Sequence, residues 1–152
     1  MKKNLTTTYD EYIVKFKGLI KSLGLKNSIQ REYVLKILFD SHSHLSTEQI
    51  LVKIKEEYNI NIGMATVYRI VNLLEDMNIV NSIFINGNDS KVYELSLVLH
   101  HDHIVCIDCG KIVEFINEKI EQLQEDVAKE NNFILQNHNM MLYGICHQCQ
   151  KQ

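Results

Sequence analysis

Two Cys-x-x-C pairs, Cys106 with Cys109 and Cys146 with Cys149, constrain this chain more than any other feature. Each pair turns the backbone tightly enough for two sulfurs to face one ion. The 36 residues between the pairs can fold back as strand, helix and strand to bring all four together. Four thiolates make a closed tetrahedral zinc site with no position left for substrate or water, so its job is to hold a small unit together. Inert core cysteines fit poorly with the turn-like surroundings Asp108-Cys109-Gly110 and His147-Gln148. A dithiol redox centre would explain one pair and leave the other idle. This spacing speaks for reduced thiols and against an extracellular disulfide scaffold. The chain has no run of 18 or more uncharged apolar residues, and its opening MKKNLTTTYDEY turns polar before a signal-peptide core could form. A cytoplasmic protein with no membrane association is expected.

The rest of the chain reads differently. At 152 residues it has room for one domain or two small ones, and its net charge of -3 is unevenly spread. Residues 1–86 carry eleven Lys/Arg against nine Asp/Glu, whereas residues 87–152 carry five against ten. The first 29 residues hold six lysines and two acidic groups, so the front of the chain can face a polyanion and the back cannot. Apolar spacing predicts an amphipathic helix over 9–23, with Tyr12, Ile13, Phe16, Leu19, Ile20 and Leu23 inward and Gly24 as its stop. A second helix is expected from Ser28 and a third from Ser46, where Ser46 and Gln49 form a capping pattern. A fourth is expected between Asn61 and Met77, burying Val67, Ile70, Val71, Leu74 and Met77. Two strands then flank Asn86-Gly87-Asn88-Asp89, a hairpin turn by composition. Three helices and a hairpin, preceded by one additional basic helix, predict a winged helix-turn-helix in which the fourth helix reads DNA.

On that helix Arg69 offers a planar fork to a base edge, and Tyr68 a ring or hydroxyl to a thymine methyl or a phosphate. Thr66, near the helix start, can reach the backbone, and Lys26 lies in the turn between the first two helices. The competing reading packs Tyr68 against the wing and pairs Arg69 with a surface carboxylate.

Beyond Leu95 the pattern becomes mixed. HIVCI and KIVEFI read as strands, Asn117 as the cap of a helix with Ile120, Leu123 and Val127 inward, and FILQNHNMMLYGI as a further strand-like stretch. The expected division is 1–95 and 96–152, an α+β chain whose second part is too small for an independent core and gains by self-association. In LHHDHIVC, extended backbone would send His101 and His103 one way and His100 and Asp102 the other, serving two nitrogen/oxygen metal sites. Glu94 and Glu114 are the nearest carboxylates for one side, Glu121 and His138 candidates for the other. His44, taken alone, reads as a solvated loop residue. Imidazole and carboxylate suit Fe(II), Mn(II), Zn(II), Co(II) and Ni(II) alike. A zinc-dependent hydrolase using Glu114 or Glu121 as base is the weaker reading, since neither an HExxH nor a G-x-S-x-G motif accompanies the cluster.

Gly24-Leu25-Lys26, Gln30-Arg31, Ala65-Thr66-Val67-Tyr68-Arg69, His100-His101-Asp102-His103 and Cys106-x-x-Cys109-Gly110-Lys111 together resemble the ferric uptake regulator family over nearly the whole chain. The resemblance implies a non-enzymatic, homodimeric repressor, able in some cases to form higher oligomers, with an N-terminal winged helix and a C-terminal α/β dimerisation domain. Its partner is a double-stranded DNA operator, and no organic small-molecule substrate is expected. Fe(II) acts as corepressor, with Mn(II), Co(II) or Zn(II) able to replace it in vitro. The resemblance assigns the regulatory metal to His44, Glu94, His101, His103 and Glu114, an additional metal to His100, Asp102, Glu121 and His138, and structural Zn(II) to Cys106, Cys109, Cys146 and Cys149. It matches Tyr68 and Arg69 to base-contacting positions and Lys26 to a minor-groove contact. Peroxide-sensing relatives carry aspartates where this chain has Glu94 and Glu114, and zinc-sensing ones bring a cysteine into the regulatory set, so iron is the expected signal. The chain departs from the family pattern at Asn27-Ser28, near a usual threonine, and in lacking a proline before Arg31.

Overall fold

The computed structural model describes residues 8–85, 90–96 and 101–151, which divide into two compact units, one running through the third strand and the other from the fourth strand onward. The predicted hairpin turn at 86–89 and His100 lie outside the described residues.

In the first unit, the starts of the first three helices are written in their caps. Thr8 and Glu11 form a capping box for α1 (Tyr9–Ser22), Ser28 accepts from the Arg31 amide at the head of α2 (Ile29–Ser41), and Ser46 with Gln49 caps α3 (Thr47–Tyr58). Each such cap satisfies amides that would otherwise lack an acceptor, a contribution of about 1 kcal/mol. Gly24 ends α1 as anticipated: at φ 69° its amide bonds the Lys21 carbonyl while the Leu25 amide reaches back to Ile20. The fourth helix, α4 (Met64–Asp76), begins three residues later than Asn61, behind Gly63.

These helices share one core with a small sheet. Phe16 and Ile20 of α1, Val34, Leu35 and Leu38 of α2, Ile50 and Ile54 of α3, and Val67, Val71 and Leu74 of α4 are all buried in it. Leu19 and Leu23, expected inward, are instead 40 % and 54 % exposed. Only the line Tyr12-Phe16-Ile20, spaced four apart, is buried; a stripe as wide as predicted would need neighbours on both flanks. The strands β1 (Leu45–Ser46), β2 (Val80–Ile85) and β3 (Ser90–Leu95) lie in the order β1-β3-β2, with Leu45 opposite Tyr93 and Ser46 opposite Val92. Helices with a strand pair behind the fourth make the winged helix-turn-helix expected. Leu74 is wholly buried, so Leu74→Ala is expected to lower unfolding stability by about 2–5 kcal/mol, read as a shifted denaturant midpoint with unchanged slope.

Among the described residues the second unit has a three-stranded sheet, β5 (Ile112–Phe115), β4 (Asp102–Cys106) and β6 (Met141–Gly144), in the order β5-β4-β6, with an α-helix, α5 (Glu118–Glu130), and a final 3-10 turn at Cys149–Lys151. β4 pairs antiparallel with β5 and parallel with β6. Asn117 caps α5 through the amides of Lys119 and Ile120. Two expectations fail here. Leu123 and Val127 are 63 % and 59 % exposed, because the sheet of a single chain does not cover the apolar side of α5. The long strand expected from Phe133 shrinks to β6, since only Met141–Gly144 finds a partner, in β4.

Candidate metal centres and DNA-reading surface

The sulfur site follows from sheet topology. β4 and β6 run in parallel with Cys106 beside Gly144, so the knuckles that follow the two strands emerge at the same edge. The turn after β4 closes through the Gly110 amide on the Cys106 carbonyl, with Gly110 at φ 71°, a conformation a side chain would resist. All four Sγ atoms lie within 4.8 Å of one another, with Cys109 to Cys146 at 3.8 Å and Cys146 to Cys149 at 3.6 Å. Zinc–sulfur bonds of about 2.3 Å in a regular tetrahedron put sulfurs about 3.8 Å apart, so the set fits zinc. The Cys109 and Cys146 backbone amides point at Cys106 and bring its thiol down to about 6, which favours the thiolate a metal needs.

A second constellation sits in the same unit. Asp102, Glu121 and His138 each offer a donor atom within 4.8 Å of the others, and His138 Nε2 is 3.0 Å from Glu121 Oε2. Asp102 is fully buried, its Oδ1 accepting from the Met140 amide. One imidazole and two carboxylates, from β4, α5 and the segment before β6, form a hard donor set suited to a divalent cation.

His101 and His103 lie on the opposite side of the strand, as alternation requires, with ring centroids 4.6 Å apart. Glu114, across the ladder from His103, comes 3.8 Å from His101 Nε2. The first unit has its own pair. Because Leu45 is opposite Tyr93, His44 arrives next to Glu94, at 3.2 Å between Nε2 and Oε2, and both side chains are largely buried. His44 is therefore no solvated loop residue. Sequence spacing could not show this, since the pairing of a two-residue strand with a partner 48 positions away leaves no local signal.

On α4, Tyr68 and Arg69 are exposed, Arg69 Nε bonding only back to the Ala65 carbonyl of its own helix among the bonds seen. Gly63 opens the helix without a side-chain cap, its carbonyl alone accepting from the Thr66 and Val67 amides, and Thr66 is half-buried there. Lys26 is exposed in the turn after α1, and its carbonyl accepts from the Arg31 guanidinium. Glu32 collects the Asn27 side-chain amide and the Lys17 ammonium, and the Tyr9 hydroxyl donates to the Glu32 carbonyl. The departure at Asn27-Ser28 thus has a local logic: Ser28 caps α2 itself and Asn27 ties the turn to Glu32. Sequence reading missed this network, and also the role of Glu75. Burial disfavours the Glu75 carboxylate, but hydrogen bonds from Lys91 and Ser82, with the Lys91 charge, still hold it below the usual carboxylate range.

Among the described residues no helix is long and apolar enough to cross a membrane. Residues 22–143 match the model of the ferric uptake regulator family. The chain is 46 % identical over 145 residues to the ferric uptake regulation protein of Campylobacter jejuni, covering 95 % of this chain and 92 % of that one. It also resembles the solved ferric uptake regulator of Helicobacter pylori, described as having three functional metal-binding sites. That match has a TM-score of 0.85 and 37 % identity, covering 100 % of this chain and 99 % of the other. The Vibrio cholerae regulator superposes with a TM-score of 0.72 at 39 % identity, over 86 % and 98 % of the two chains.

Proposed function

The chain belongs to the ferric uptake regulator family, and from that premise we propose an iron-responsive transcriptional repressor that binds operator DNA as a homodimer. Residues 1–95 form its DNA-binding domain and 96–152 its dimerisation domain. One observation carries the reading: each compact unit presents a separate nitrogen/oxygen donor group, His44 with Glu94 in the first and His101, His103 and Glu114 in the second. These five residues would hold the regulatory Fe(II). Three imidazoles and two glutamates also accept Mn(II), Co(II) or Zn(II), while the thiolates that most favour zinc are committed to the cysteine site. The buried Asp102 with Glu121 and His138 would hold an additional cation, His100 being the fourth donor assigned to it. Cys106, Cys109, Cys146 and Cys149 would keep structural Zn(II).

The exposed apolar side chains of the second unit support the dimer. Ile116, Leu123, Val127, Phe133 and Ile134 are each more than half exposed, which is uneconomical for an isolated unit of this size. A C2 pair would also present two copies of α4 to DNA, with Tyr68 and Arg69 reading bases, Thr66 at the backbone and Lys26 at the minor groove. Nothing in this arrangement calls for turnover, and a repressor of chromosomal operators acts in the cytoplasm.

The test compares metal-depleted protein with protein given Fe(II) anaerobically, Mn(II) or Zn(II), titrated on a duplex that the metal-loaded wild type selects from a random pool. Coupling of the usual size would raise affinity roughly 5- to 150-fold. His101→Ala should lose that gain while sedimenting as the same dimer with its zinc intact. An undiminished metal response in His101→Ala would reject the proposed ligand set.

A further inference from the structure

Three elements of the winged helix meet at one carboxylate. Glu75 lies in the last turn of α4, just outside its buried line, and Lys91 of β3 reaches it with Nζ at 2.7 Å and 3.0 Å from the two carboxylate oxygens. Ser82 of β2 donates its hydroxyl to the same oxygen that accepts the longer of these bonds. The Lys91 ammonium also lies 5.4 Å from the ring centroid of Phe84 and 5.5 Å from that of Tyr93, so one strand pair surrounds it with two rings and the helix supplies its counter-charge. The helix end favours this meeting. Asn78, at φ 55°, bonds back to the Glu75 carbonyl and Ile79 to Leu74, a close that turns the chain directly into β2.

The inward side chains Val80, Ile83, Val92 and Tyr93 already seat the wing on the core. Apolar contact is non-directional and leaves the pitch of a two-stranded ribbon loosely set, whereas a carboxylate gripped by both strands fixes it. A lysine on a wing would ordinarily be read as a phosphate contact. Here its charge is already matched, and its ammonium is shared between a half-buried carboxylate and two ring faces.

We propose that Glu75 is a positioning residue for DNA reading: by holding Ser82 and Lys91 it sets the pose of the wing against α4 and withdraws Lys91 from phosphate contact. The proposal rests on α4 being the reading helix. It assigns Lys91 to architecture, opposite to what its charge and location suggest.

Affinity for the selected duplex and for a scrambled duplex of the same composition, each measured over a salt series with metal-loaded protein, separates the two roles. Glu75→Gln is expected to weaken binding to the selected duplex about 5- to 20-fold, the effect of misplacing one supporting element, while leaving scrambled binding equal or stronger because Lys91 is released. Lys91→Met should weaken selected binding similarly with an unchanged salt slope. The double variant should be no worse than either single one. The proposal is overturned if Lys91→Met lowers the salt slope by about 2, one phosphate contact per protomer of a dimer. It is equally overturned if Glu75→Gln leaves the ratio of selected to scrambled affinity untouched. Should either variant melt early, Ser82→Ala, which removes one grip and no charge, must still reduce that ratio. If the wild-type protein selects no duplex, the DNA-binding reading itself fails, an outcome distinct from all of these.

Discussion

Cys106→Ser should leave the second unit unable to fold, while the winged helix melts cooperatively at its usual temperature. Structural zinc contributes on the order of 10–16 kcal/mol in small domains, whereas a whole domain is stable by only about 5–15 kcal/mol. The second unit has little with which to offset that loss: its buried apolar side chains are few and its helix contributes none. Cys106 is also the most constrained of the four sulfurs, buried and accepting a hydrogen bond from the Cys146 amide. Thermal melts followed by far-ultraviolet circular dichroism, beside zinc content and sedimentation, would show loss of about one helix of signal, of bound zinc and of the dimer together. A zinc-free variant that keeps its dimer and melts as the wild type does would mean that the sheet holds itself.

Arg69→Ala is expected to remove most of the discrimination between the selected duplex and a scrambled one without touching metal content or oligomeric state. A bidentate contact to a base pair is worth about 1–3 kcal/mol, and a symmetric dimer makes it twice, so the expected loss is about 2–6 kcal/mol in specific binding. Scrambled binding should fall much less, since it draws on phosphate contacts that this residue does not make in the proposed geometry. Quantitative mobility shift on both duplexes would measure the ratio. Equal loss on both would make Arg69 a phosphate contact, and no loss would move the reading surface off α4.

What was legible in the sequence was whatever is decided within a turn or two of chain. Ser28, Ser46 and Asn117 start their helices by side-chain bonds to amides at most three residues on, so each start could be named; Thr8 does the same for α1, whose span was read from apolar spacing instead. The same holds for Gly24 and for the two knuckles. Alternation along an extended strand sufficed to separate His101 and His103 from Asp102. What failed was decided by neighbours remote in sequence or supplied by another chain. Leu19 and Leu23 obey helical periodicity, yet face no neighbour that covers them. Leu123 and Val127 have the pattern of a buried face without a cover in the single chain. His44 joined Glu94 only through the family resemblance, because a strand of two residues finding its register against β3 leaves no sign near His44. The partners of Glu75, 7 and 16 residues away across a turn, left no local sign either.

The parallel pairing of β4 with β6 also dictates an order of assembly. Cys106 and Cys109 precede Cys146 and Cys149 by 40 positions, and no site of four sulfurs can close until the later pair is in place. The winged helix, complete by β3, is free to fold while that wait lasts. On this topology the sulfur site cannot be complete before both strands that carry it are in place, whereas the first unit needs neither of them.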